Sequence, residues 1–177
     1  AAELEAMLLY QIGALAGIAR AEGGRLTHVK PHGALNNMAC EDAALAATVA
    51  RAVKAFDATL ILLAPALSQL QRAGEAAGLG VGIEVFADRA YTDEGNLVPR
   101  SQPGAVLHSA EACVAHVMRF VEAGGIVCAS GKVLKTPFHS ICVHGDGPQA
   151  VSAAAALRDA LGAVGIALVP LPQAIGG

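Results

Sequence analysis

An alternation constrains this chain more than anything else in it. Short apolar, β-branched runs are each followed by a polar loop and then by an alanine-rich stretch of helical period. Residues 59–64 (TLILLA) are apolar throughout, the pattern of a strand buried on both faces of a parallel sheet. In residues 81–86 Val81, Ile83 and Val85 alternate with Gly82, Glu84 and Phe86, as on a pleated, buried surface, and 140–144 (SICVH), 26–30 (LTHVK) and 166–171 (IALVPL) complete five predicted strands. Between them lie predicted helices at about 43–56, 68–77, from Ser109 to Gly124, and 149–164, with a small hairpin at 126–134 turning at Ser130, Gly131 and Lys132. A further helix opens the chain, where Leu4, Met7, Leu8, Gln11, Ile12, Leu15 and Ile18 keep helical spacing as far as Gly23 and Gly24. Repeated βα units imply a mostly parallel sheet wrapped by helices. At 177 residues the chain is read as a single α/β domain over 1–177, with no N-cap ahead of its first turn, as the C-terminal part of something longer.

Composition narrows the partners. The 54% hydrophobic content is largely alanine, and the longest apolar run, 60–67, is too short to cross a bilayer. A net charge of −3 with scattered Lys and Arg argues against nucleic acid. Cys40, Cys113, Cys128 and Cys142 form no CxxC pair, and their apolar neighbours suggest buried thiols in a reducing cytoplasm.

Ligands of parallel α/β folds bind at the carboxyl ends of the strands, and the unusual polar residues of this chain fall there. Lys30 and His32 follow one strand, Glu84, Asp88 and Arg89 another, His144 and Asp146 a third. Three strands thus deliver acid, base and imidazole to one end of the sheet, where they are expected to face a common cavity. The loop 87–104 is the densest part of this set. Asp88, Arg89, Asp93, Glu94 and Arg100 fall within 13 residues of a chain only 15% charged, and Gly95, Pro99, Pro103 and Gly104 punctuate them. A solvated loop whose charges pair among themselves is the plain alternative, but it leaves a carboxylate at Glu84, inside the preceding strand, unexplained.

The chemistry suits general acid/base work by His32, Glu84, Asp88, His144 and Asp146. Lys30, Arg89 and Arg100 are cations able to bind an anionic substrate group, the arginines bidentately, and Arg89 has the alternative of pairing with Asp88 as a buried bridge. His32, His144, Asp88 and Asp146 could take a divalent metal, though no HxxxH or HExxH spacing supports it. His28, His108, His116 and His139 read as structural. The Gly-Lys at 131–132 lacks the spacing and the Ser or Thr of a phosphate-binding P-loop, so no ATP site is legible.

Residues 28–37 (HVKPHGALNN), 84–107 (EVFADRAYTDEGNLVPRSQPGAVL) and 140–151 (SICVHGDGPQAV) together resemble the LamB/YcsF family, along a match running from about Tyr10 to Val169. The resemblance implies a seven-stranded (β/α) barrel of the glycoside hydrolase/deacetylase type, incomplete here because the family's amino-terminal segment is missing. It implies ATP-dependent hydrolysis of the lactam amide of 5-oxo-L-proline to L-glutamate, with Mg2+ accompanying ATP. Separate 5-oxoprolinase subunits B and C are implied as partners. Asn36 stands where the family usually has Tyr, Gly147 where it has Thr, and Gln149 where it often has Gly. The competing readings are a metal-dependent amide or N-acetyl hydrolase and a non-catalytic partner subunit. A sheet lacking strands is also expected to leave an open edge, inviting another chain or a second copy.

Overall fold

A computed structural model describes residues 1–176. Seven helices and six strands follow in the order α1 (Ala2–Ala21), β1 (His28–Val29), α2 (Gly33–Glu41), α3 (Ala43–Phe56), β2 (Ile61–Pro65), α4 (Gln69–Ala77), β3 (Gly80–Phe86), α5 (Ala110–Ala123), β4 (Gly125–Val127), β5 (Val133–Lys135), β6 (Ser140–Cys142), α6 (Ala150–Ala163) and α7 (Leu171–Ile175). Strands β1, β2, β3 and β6 hydrogen-bond in that order, and β4 pairs with β5. The pairs β1–β2 and β3–β6 are parallel, so the expected βα alternation stands, as a piece of a (β/α) barrel with an open sheet.

The chain divides into two compact units, Ala1–Ile83 with the segment from Leu171, and Glu84–Pro170. The first is built on α3, whose Ala46, Val49, Ala50, Ala52 and Val53 are buried against Leu60, Leu62 and Ala64 around β2 and against Leu8 and Ile12 of α1. Asp42 starts α3 by accepting hydrogen bonds from the backbone N–H groups of Ala44 (2.8 Å) and Leu45 (3.0 Å). By length and composition α1 could cross a membrane, a test that core helices also pass. Of its apolar stripe only Leu8 and Ile12 are buried, while Leu15 and Ile18 are exposed.

Two expectations need correction. Residues 33–41, for which no helix is expected between the strand at 26–30 and the helix at 43–56, form α2, and its end at Asp42 doubles as the cap of α3. Residues 166–170 form no strand, and α7 follows at once. Pro170 has no N–H to give a ladder, and Ile166, Leu168 and Val169 are exposed.

In the second unit α5 and α6 pack through Cys113, Val117, Leu157 and Leu161 against Ala87, with Ile141 and Val143 beside them. Ser109 caps α5 by accepting from the Ala112 N–H at 3.1 Å, as its sequence position predicts. The β4–β5 hairpin turns where expected. Cys128 N–H donates to the Lys132 carbonyl (2.8 Å), and Gly131 takes φ +92°, a left-handed conformation that glycine adopts without strain.

Candidate active site

The site is built on the end of β3. Its Glu84, Val85 and Phe86 pair in register with Ser140, Ile141 and Cys142 of β6, which sends the two strands' following residues, Asp88 and His144, out of the same end of the ladder. Ala87 N–H extends the ladder by donating to the Cys142 carbonyl at 3.0 Å. There His144 Nδ1 lies 2.7 Å from Asp88 Oδ2 and 2.9 Å from Oδ1. A carboxylate only accepts, so Nδ1 carries the proton, and in the neutral ring Nε2 is left with its lone pair exposed to a reactant. The Phe86 ring lies nearly parallel to the imidazole, with centroids 5.8 Å apart and planes at 19°. It fixes the ring's plane as Asp88 fixes its rotation. Both members of the pair are partly buried, at 16% exposure for Asp88 and 23% for His144. They are reachable, yet shielded enough for their contact to be stronger than an open surface pair.

The pair borders a cavity of about 470 Å3 whose wall also includes Arg100, His108, Ser109, Cys113, Asp146 and Gln149. The apolar part of the wall is Val106, Leu107, Val143 and Ala153. Two 14-residue helices, α5 and α6, begin at this wall, where Ala110 N–H donates to Gln149 Oε1 at 3.3 Å. Burial, with Asp88 adding to it, pushes the Cys113 thiol up, so it stays S–H and is a poor nucleophile. Of the two imidazoles in the wall, His144 is the one oriented by a carboxylate, and Arg100 adds a guanidinium to the same wall.

The structure therefore brings together four of the residues singled out in the sequence: Asp88, His144, Asp146 and Arg100. Glu84 is buried at 3% exposure, where its Oε1 accepts from Ser140 Oγ at 3.1 Å inside the strand pair. Lys30 follows β1 and His32 precedes α2, both in the first unit.

Arg89 takes the structural option rather than a place in the cavity wall, and its partners are not those expected. Its guanidinium is 5% exposed and donates to the carbonyls of Val98 (2.7 Å) and Ala105 (3.3 Å), tying the long loop to its own root. Backbone bonds from Ala90 N–H to the Ala105 carbonyl and from Leu107 N–H to the Asp88 carbonyl close the same loop. Its high charge density is thus partly architectural.

His108, read as structural, lines the cavity, and Ser109 and Gln149 were not singled out as site residues at all. The signal for them was positional, since they flank the first turns of the two helices following the site strands. Among the described residues no three His, Cys, Asp or Glu side chains are grouped as a metal site.

The sequence pattern of the LamB/YcsF family matches residues 1–176. A 5-oxoprolinase A subunit from Azoarcus sp. (strain BH72) is 65% identical over 97% of this chain and 67% of its own length. Its counterpart from Methylococcus capsulatus is 52% identical over 96% of this chain and 65% of its own. The chain thus spans about two thirds of the length of these relatives. The crystal structure of a lactam utilization protein from Thermus thermophilus superimposes with a TM-score of 0.85 at 39% identity, covering 94% of this chain and 66% of that one.

Proposed function

The chain belongs to the LamB/YcsF family, and from that premise we propose that it serves as the A subunit of a 5-oxoprolinase, opening the lactam of 5-oxo-L-proline to L-glutamate. The observation that carries the reading is the Asp88–His144 pair in the wall of the second unit's cavity. His144 Nε2 takes a proton from water as the oxygen attacks the lactam carbonyl carbon. The ring C–N bond then breaks, and the same imidazole returns the proton to the departing nitrogen, so that one water is added across the bond. Asp88 holds the imidazole in the tautomer that can act as base and stabilises the cation formed in passing. Arg100 receives the substrate carboxylate, and the apolar wall at Leu107, Val143 and Ala153 receives the ring methylenes.

ATP, with Mg2+, belongs to this proposal as the source of the driving force, used in an assembly with subunits B and C. The residues of this chain do not fit such a group, since the sequence carries no P-loop and its described acids and histidines do not gather as a metal site. No step is therefore assigned to ATP or Mg2+ here. Four cysteines without disulfides are in keeping with a cytoplasmic setting.

The test is glutamate formation from 5-oxo-L-proline and ATP by the full-length protein assembled with its partner subunits. His144→Gln removes the base while keeping a polar side chain of similar reach, and kcat is expected to fall by about 100-fold or more. Unaltered turnover would remove His144, and with it this reading of the site.

A further inference from the structure

Asp88 is aimed by its side chain at His144, but something must hold the peptide that carries it. Leu107 N–H donates to the Asp88 carbonyl at 2.9 Å. The next carbonyl along, that of Arg89, lies 2.9 Å from His116 Nε2 on α5. His116 is 4% exposed, and its ring lies 4.3 Å from that of Phe120 between centroids.

The chemistry of its two neighbours fixes its state. A carbonyl oxygen only accepts, so Nε2 must carry the proton. On the other side Arg119 lies 3.2 Å from Nδ1, and a guanidinium only donates, so Nδ1 must be the bare nitrogen. His116 is therefore a neutral Nε2–H tautomer with both ring nitrogens committed. Burial first, and then the Arg119 charge, press its pKa below the ordinary 6.5, against the Arg89 carbonyl and Asp88, which favour the cation. A buried imidazole locked in one tautomer is thus bonded one residue beyond a site carboxylate, and an apolar ring of the same size would fill the space but take this donor from the buried Arg89 carbonyl.

We propose that His116 is a positioning residue for the Asp88–His144 pair, acting by holding the Arg89 carbonyl and thus the direction in which Asp88 leaves β3. This rests on the reading of Asp88 and His144 given above. The carboxylate must meet Nδ1 at hydrogen-bond length. The Arg89–Ala90 peptide is held at both ends, by Ala90 N–H on the Ala105 carbonyl at 3.0 Å and by His116 on the Arg89 carbonyl, so that loss of the second tie leaves it hinged on the first and changes that aim. A displacement of about 1 Å at a catalytic group can cost on the order of 100-fold in rate. Substrate affinity, set by Arg100 and the apolar wall, does not pass through this peptide.

The experiment compares His116→Phe, His116→Met and His116→Gln with Asp88→Asn in the full-length assembly, measuring kcat, KM for 5-oxo-L-proline and thermal midpoint. Phe and Met fill the site without a donor, whereas Gln places an amide N–H near the position of Nε2. The expected result is a fall of about 10- to 100-fold in kcat for the donor-free variants, with KM and folding retained, and recovery of most of the loss in the Gln variant. Wild-type kcat in a folded donor-free variant would overturn the inference. So would an equal kcat loss in the Gln variant, and so would donor-free variants that lose their fold rather than their turnover, since that marks His116 as structural. Asp88→Asn separates the two levels. If it is fully active, the reading of the site fails; if it is inactive while the folded His116 variants are normal, only the positioning role fails.

Discussion

Asp88 and His144, 56 residues apart in the chain, meet at 2.7 Å because the strands that precede them are paired in register from Glu84 to Phe86 and from Ser140 to Cys142. A one-residue slip between β3 and β6 would turn either side chain to the other face of the sheet and dissolve the pair. The geometry of the pair is thus a consequence of strand register, and the loop only has to hold its own shape.

That holding falls largely to Arg89. Replacing it with Met leaves the carbonyls of Val98 and Ala105 without the donors that now reach them at 2.7 and 3.3 Å. The Ala105 carbonyl keeps the Ala90 N–H as a donor, so the Val98 carbonyl is the one left unmet, and the variant should lose about 1–3 kcal/mol. Arg89→Lys, which cannot span both carbonyls with one ammonium, should lose part of this while leaving KM for 5-oxo-L-proline unchanged in the folded protein. Chemical denaturation read beside steady-state kinetics checks both. A raised KM without a fall in stability would place Arg89 at the substrate instead.

His116 gives stability a pH dependence of definite sign. Its folded pKa is lowered from the ordinary 6.5, so the unfolded chain binds the extra proton first. Its contribution is complete above about 6.5 and is lost as the pH falls through the range between that value and the lower folded one. Thermal midpoints of the wild type and His116→Gln, followed from pH 7.5 down to about 5, should therefore converge on the acid side. Parallel curves would mean that His116 is not held neutral.

The junction of α2 and α3 depends on one side chain. Asp42→Ala removes the acceptor for the N–H groups of Ala44 and Leu45, and should cost about 1 kcal/mol, within the usual span of about 0.5–2 for lost caps. Asp42→Asn should recover most of it. Equilibrium denaturation midpoints of the two variants decide the matter.

Much of this was legible in the sequence for identifiable reasons. The runs at 59–64 and 81–86 announce buried parallel strands, and Ser109 and Gly131 mark a cap and a turn by chemistry alone. Asp88, Arg100, His144 and Asp146 were legible as a set because polar residues just past buried strands have few structural reasons to be there. The partnership of Asp88 with His144 was not, since it depends on the register of β3 against β6, which no local pattern encodes. Helix α2 was hidden by Asn36 and Asn37, poor helix formers at its centre. The stretch at 166–170 has the apolar content of a strand, but a strand also needs a partner, and that information is not local. Arg89 and His108 exchanged expected roles because burial, which sequence does not give, decides whether a charged side chain serves the loop or the cavity.

The central claim is that Asp88 and His144 act as one unit, and a double-mutant cycle on kcat tests it most directly. Asp88→Asn, His144→Gln and the double variant are assayed for glutamate formation in the full-length assembly, with thermal midpoints taken to show that all are folded. Each single change is expected to lower kcat by about 100-fold or more, and the double variant to be no slower than the slower single one within about threefold, because a base without its orienting carboxylate is already lost. Losses that multiply in the double variant, or a single variant with wild-type kcat, would contradict it.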